Sequence, residues 1–135
     1  MHLLLTISIC IMLTACGLAY QKQVKELLSR STTTDWGYLH DEHEYQEKRL
    51  IQEMLKDPDS AKFRFGSTQR MVKNVGGRPT LVWISYVFVN AKNSFGGYTG
   101  EKTYAFAYKC NLTKDCKLVD YATPGQYADQ LDWQL

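Results

Sequence analysis

The run Leu81-Val82-Trp83-Ile84-Ser85-Tyr86-Val87-Phe88-Val89 constrains the fold more than any other stretch of the chain. Successive side chains of a strand point to opposite faces, and here both sets are largely apolar. Such a strand needs cover on both sides and is expected at the centre of a sheet. Other segments take their places around it. Upstream, Ala61, Phe63 and Phe65 alternate with Lys62 and Arg64, the pattern of a one-sided strand. Residues 68–75 make a weaker strand between the turn signals Gly66-Ser67 and Gly76-Gly77-Arg78-Pro79. Downstream, Tyr104, Phe106, Tyr108 and Cys110 alternate with Ala105, Ala107 and Lys109, and a last strand runs from Cys116 to Tyr121.

The period changes to helical over residues 41–56. Leu50, Ile51, Met54 and Leu55 share one face, and Glu44 and Lys48 form an i,i+4 pair in the favoured order. Asp41 is the expected N-cap, with Glu44 closing a capping-box pattern. Pro58 disfavours helical geometry at Asp57 and stops the helix. Thr123, Pro124 and Gln126 carry the signature of a second helix start, so a short helix is expected over 124–131. The fold class is therefore α+β: one main N-terminal helix packed on an antiparallel meander of four or five strands, with a short C-terminal helix.

Ahead of this domain lies a different kind of sequence. Residues 1–15 are almost wholly apolar and contain no Lys, Arg, Asp or Glu. The run is short for a bilayer span, which needs about 20 apolar residues, and fits the apolar core of a signal peptide. Leu13-Thr14-Ala15-Cys16 resembles the lipobox of bacterial lipoproteins. That resemblance implies cleavage before Cys16, acylation of its thiol, and attachment to the membrane through acyl chains such as palmitate. Two or more chains hold a protein firmly, because each buried CH₂ contributes about 0.8 kcal/mol. The usual basic residue before the apolar run is replaced by His2. An uncleaved amphiphilic helix or a buried strand is the alternative. Gly17 after the Cys implies, by resemblance to enterobacterial sorting, an outer-membrane lipoprotein facing the periplasm if the host is Gram-negative. The expected organisation is a signal peptide at 1–15, a lipidated tether at 16–38 and a domain at 39–135. Within the tether, Val24, Leu27 and Leu28 form one helical stripe, and Ser29 to Asp35 has no core pattern.

A formal charge of +2 is too mild for nucleic acid, which needs a clustered basic face. Cys110 and Cys116 flank five turn-like residues. In an oxidising envelope the pair reads as a structural disulfide. A Cys-x₅-Cys metal or redox site is the alternative, though zinc sites favour shorter spacings and more ligands.

Thirteen residues, 90–102, separate the two best strands, against the usual 2–5 of a hairpin. Asn90, Lys92, Asn93, Ser94, Gly96, Gly97, Tyr98 and Gly100 make this the candidate binding loop. It lacks G-x-x-x-x-G-K-[ST] and precedes a strand, so it is no phosphate loop. If it binds a partner, its polar groups should be partly exposed. If it is structural, Asn90, Asn93 and Tyr98 should be buried and hydrogen-bonded. Asp57-Pro58-Asp59-Ser60-Ala61-Lys62-Phe63-Arg64 and the segment from Val89 to Gly100 together resemble a family of small bacterial and prophage-associated proteins. Its members pair D-P-x-S-A-x-F with N-A-K-N-x-x-G-G-Y-x-G, and many are exported or lipid-anchored. The resemblance covers about residues 50–109 and implies no activity. Members carry Cys-Gly shortly before the Val-Asn, where this chain has Tyr86-Val87.

No catalytic set emerges. His40 and His43, with the acids around them, read as a solvated helix start rather than a zinc site, and no metal or other cofactor is expected. Ser60, Ser67, Ser85 and Ser94 lie in no nucleophile elbow. Glu101 and Asp120 form a nominal glycosidase pair of a kind any acid-bearing chain supplies. The expectation is a non-enzymatic, lipid-anchored envelope module with an envelope-protein or cell-wall partner. The alternatives are an enzyme acting on peptidoglycan or lipid, and a prophage exclusion or immunity lipoprotein.

Overall fold

The computed structural model describes residues 2–125. Helix α1 spans His2–Arg30 and α2 spans His43–Met54. Five strands follow: β1 (Lys62–Phe65), β2 (Gln69–Val75), β3 (Arg78–Asn90), β4 (Lys102–Cys110) and β5 (Cys116–Ala122). All strand pairs are antiparallel. Strand β3 is central, as its two apolar faces require. One of its edges is shared between β2, opposite residues 78–84, and β1, opposite residues 87–90. The other edge pairs with β4, which pairs in turn with β5. The α+β class and the helix-on-meander arrangement expected from the sequence are both present. The short C-terminal helix expected over 124–131 lies mostly outside the described residues. Pro124 and Gly125 form a turn.

The pleat assigns the core. On one face Val87, Val89, Tyr104, Phe106, Tyr108 and Cys110 pack with Ile51 of α2, which is fully buried. On the other, Met71, Val82, Ile84 and Ala107 form a second cluster. Lys73 on β2 reaches Asp120 on β5 at 2.8 Å across this second face. In a flat sheet those two strands would be about 14 Å apart, at roughly 4.8 Å per spacing. The contact therefore requires the sheet to curl around this face, and small Ala105 and Ala107 on β4 leave room for it.

Three details differ from the sequence reading. Asp41 is not the cap of α2. The N-cap is Glu42, and the Asp41 carboxylate instead pairs with Lys114 at 2.7 Å. The segment expected as a tether is helical to Arg30, packs against β3, and buries Val24. The hydroxyl-rich run after it forms a 3-10 turn over Thr33–Trp36, where the Asp35 carboxylate accepts from the Thr32 N–H at 2.6 Å and from its hydroxyl at 3.0 Å. Among the described residues, no helix is long and apolar enough to cross a membrane.

Cys110 and Cys116 face each other at the turn end of the β4–β5 hairpin and form a disulfide. Asn111 organises the turn they close: its Oδ1 accepts from the N–H groups of Thr113 and Asp115, each at 2.9 Å. The chain leading from α1 to α2 crosses this turn. The Tyr38 N–H donates to the Asn111 carbonyl at 3.0 Å, and the Trp83 indole donates to the Trp36 carbonyl at 3.1 Å. Gly37 sits at the crossing with φ +65°, where an added Cβ would lie 2.5 Å from the Asn111 oxygen. Gly37→Ala therefore combines a left-handed backbone with a collision against main chain. We expect it to cost on the order of 3 kcal/mol. Gly96→Ala, at φ +81° in open space, should cost only about 1 kcal/mol. Paired thermal melts check this ordering, and equal losses would refute the close-approach account.

Candidate functional site

The 90–102 loop is built jointly with the segment before β1. Asp57 caps a 3-10 turn over Pro58–Ser60 by accepting from the Ser60 N–H at 3.3 Å. The Ser60 hydroxyl donates to the Asp57 carbonyl at 2.8 Å and accepts from the Lys92 N–H at 2.9 Å. The Tyr98 hydroxyl donates to the Ser60 carbonyl at 3.2 Å. The two segments that carry the family resemblance are thus in direct contact, with Ser60 as the hinge pin between them. Within the loop, Asn93 Oδ1 accepts from the N–H groups of Phe95 and Gly97, at 2.9 and 3.1 Å. A short bridge between Lys92 and Tyr98 closes the turn, and Gly96 and Gly100 take positive φ.

Residues 93–100 are exposed, Phe95 almost completely so at 97%. Asn93 and Tyr98 nevertheless tie the loop down through hydrogen bonds, and the buried Asn90 side-chain oxygen has no partner among the described residues. Tyr98 lies between two cations, with Lys62 Nζ 4.8 Å and Lys92 Nζ 5.6 Å from its ring centroid.

Between this loop and the end of α2 lies a cleft of about 310 Å³. Met54, Leu55, Val89, Ala91 and Tyr104 give it apolar walls, and Lys56, Lys92, Lys102, Asn93, Ser94 and Thr99 supply the polar groups. Of the residues singled out in the sequence, Lys92, Asn93 and Ser94 line it. Asn90, Gly96, Gly97, Tyr98 and Gly100 shape or brace the loop without lining the cleft. Lys56, Lys102, Thr99 and Tyr104 were not singled out. Lys56 follows the helix and Lys102 opens β4, so only the register of β3 on β4 and the packing of α2 bring them together. Lys56 Nζ donates to the Ser94 hydroxyl at 3.1 Å across the mouth. Tyr104 is 6% exposed, and burial raises its pKa.

The other groups weighed for chemistry are dispersed or enclosed. Asp120 stands opposite Ala107 on β4. Glu101 is six residues further along that strand, about 20 Å at roughly 3.3 Å per residue. Paired glycosidase carboxylates are about 5–9.5 Å apart, so these two are no such pair. Glu101 instead grips Arg64, whose guanidinium lies 3.9 Å from the Phe88 ring centroid. His43 and Glu47, one turn apart on α2, point into the sheet. His43 Nδ1 contacts the His40 carbonyl at 2.8 Å, and the His40 ring stands edge-on to Tyr108 with centroids 5.5 Å apart. Among the described residues, no group of three His, Cys, Asp or Glu side chains could hold a metal ion.

Glu47 is the unusual residue of this face. It is fully buried, a position ambiguous in sequence because the surrounding acids suit a helix start. The Ser85 hydroxyl donates to its Oε2 at 3.0 Å. Its Oε1 and the Tyr108 hydroxyl lie close enough to interact, yet neither makes a hydrogen bond of proper geometry. Burial pushes the carboxyl up to about 7, against the opposing pull of Ser85 and His43. The same burial, with the Glu47 charge, raises the Tyr108 phenol. Ser85, Glu47 and His43 do not make a nucleophilic triad, because the serine hydroxyl donates to the carboxyl group rather than to the imidazole, and both Ser85 and Glu47 are buried. No family model matches the chain, and no curated protein or solved structure is significantly similar to it.

Glu47 sets a pH dependence of defined sign. Its folded pKa is raised above the ordinary 4.5. Its protonated form therefore stabilises the fold fully below about pH 4.5, and that contribution is lost as pH rises through about 7. Burial lowers the His40 pKa, which works in the opposite sense at acid pH. Comparing Glu47→Gln with the parent cancels that term. The Gln side chain stays neutral and still accepts from Ser85, so the variant should be more stable at pH 8 by on the order of 3 kcal/mol and match the parent at pH 4. Denaturant unfolding across this range checks it. Parallel curves for the two proteins would show that Glu47 does not titrate there.

Proposed function

We propose that the protein is a lipid-anchored module of the bacterial cell envelope, held by acyl chains on Cys16 and binding its partner at the cleft beneath the 90–102 loop. The observation that carries this reading is how the two features sit along β3. Exposed Cys16 borders the same shallow depression as Asn74 and Gly77, at the β2–β3 turn. The cleft lies beyond Val89, at the opposite end of the strand. Thirteen residues at about 3.3 Å each make a strut of up to about 40 Å. An acylated Cys16 thus leaves the cleft facing away from the membrane that holds the protein.

Other features support the same reading. Leu13-Thr14-Ala15-Cys16 has the lipobox form, and a disulfide between Cys110 and Cys116 suits an oxidising compartment. Gly17 favours the outer membrane, facing the periplasm, in a Gram-negative host. Neither a carboxylate nor an imidazole lines the cleft, which favours binding over hydrolysis of peptidoglycan or lipid. The resemblance to exported and prophage-associated proteins agrees with the compartment.

Two measurements test the two halves of this proposal. Cys16→Ser should abolish acylation and leave an unprocessed precursor by intact mass. A normal mature mass and membrane retention in that variant would overturn the anchor. A photocrosslinker at Ser94 should capture an envelope partner, while one at Gly77 should not. Lys92→Ala with Lys102→Ala should abolish that capture while changing stability by about 0.5 kcal/mol or less. Undiminished capture by the double variant would remove the cleft as the binding site.

A further inference from the structure

We infer that the cleft takes a short peptide ending in a free carboxylate and carrying small apolar side chains, an inference that rests on the binding reading above. Its polar inventory is the first argument. Lys56, Lys92 and Lys102 line the cleft and no acidic side chain does. The acids next to lining residues in sequence are engaged elsewhere: Glu101 by Arg64, Glu53 by Arg49, and Asp57 by the Ser60 N–H. Asn93 uses its side-chain oxygen to hold the turn, which leaves its NH₂ as a donor. Tyr104, a largely buried residue of the cleft wall, adds a phenol hydroxyl that can donate. Side-chain donors therefore predominate along this half-open cleft, and three lysines line it with no acidic side chain among them. A bound anion supplies both the acceptor and the counter-charge. The cations are all Lys, point charges that attract an anionic group without the planar fork by which Arg selects one.

Size and lining narrow the class. About 310 Å³ is at the low end for ligand clefts, so the occupant is short. The walls of Met54, Leu55, Val89 and Ala91 accept methyl-sized groups. Ser94 and Thr99 add hydroxyls that both donate and accept, matching peptide N–H and C=O groups. Against an acyl chain the same hydroxyls would be desolvated without partners. A lipid of the anchoring leaflet is also remote, since the cleft and Cys16 lie at opposite ends of β3.

The test uses the full chain in neutral detergent, followed by amide chemical shifts. The probes are N-acetyl-trialanine, its C-terminal amide, and hexyl phosphate. N-acetyl-trialanine should shift the amides of Lys56, Asn93, Thr99 and Lys102. Amidation of its carboxylate should weaken binding at least tenfold. Lys92→Ala with Lys102→Ala should weaken it by a similar factor, whereas Lys109→Ala, on an exposed site of β4, should leave it unchanged. Equal binding of acid and amide would overturn the inference, as would hexyl phosphate binding tenfold more tightly than the peptide. No cleft shifts at tens of millimolar peptide would overturn it too. In that last case, persistent capture of a partner from Ser94 would leave the binding module standing with a different ligand. Loss of capture as well would remove both readings.

Discussion

Everything in this protein is hung on β3. It is paired on both edges, with β1 and β2 sharing one side and β4 taking residues 83–89 on the other. Val82, Ile84, Val87 and Val89 are all at or near zero exposure, which is possible only because each face has its own cover. The strand also fixes direction. It sets the β2–β3 turn at one end, the 90–102 loop at the other, and Ser85 between them, where α2 delivers Glu47.

Two electrostatic arrangements stand out in this frame, and the first runs against the usual rule that buried charge is paired. Glu47 enters the core with the Ser85 hydroxyl as its donor and no ion pair among the described residues. The fold accommodates it by raising its proton affinity, so the carboxyl is kept largely neutral in mildly acidic surroundings. At the cleft the imbalance is the reverse, with lysines gathered and no acid. Lysine stems can lie along apolar walls with the ammonium at the rim, so three cations are tolerated where three carboxylates would be much harder to hold. Elsewhere charges are matched: Arg64 with Glu101, Lys73 with Asp120, Lys114 with Asp41. The contrast is what distinguishes the cleft from ordinary surface.

The strands were legible because alternation is a local property. The doubly apolar run at 81–89 named the central strand, and Phe63 with Phe65, or Tyr104 with Phe106 and Tyr108, named its neighbours. The disulfide followed from the turn-like spacer between the two Cys residues. The buried role of Glu47 was not legible. An acid in the first turns of a helix is explained equally well by the macrodipole, and only the third dimension shows Ser85 opposite it. The helical continuation of α1 to Arg30 was half visible in Val24, Leu27 and Leu28, but a helix that docks on a sheet resembles one that does not. The cleft was seen from one side only. Lys92, Asn93 and Ser94 stood out within a Gly-rich loop, whereas Lys56 and Lys102 look like any helix-end or strand-start lysine until tertiary packing brings them together.

The shared edge of β3 also orders how the molecule assembles. The β2–β3 and β4–β5 pairings are hairpins between neighbours in sequence, and such contacts close small loops at low entropic cost. The β1–β3 pairing is different, because Lys62 meets Asn90 only after the whole β2–β3 hairpin has folded between them. Strand β1 is four residues long and is continuous with the turn whose Ser60 holds Lys92 and Tyr98. Non-local pairings of this kind form late and open early. The loop that frames the cleft is therefore fastened by the least persistent strand of the sheet. That end of the sheet is an edge that can peel away while the hairpins and their disulfide remain intact.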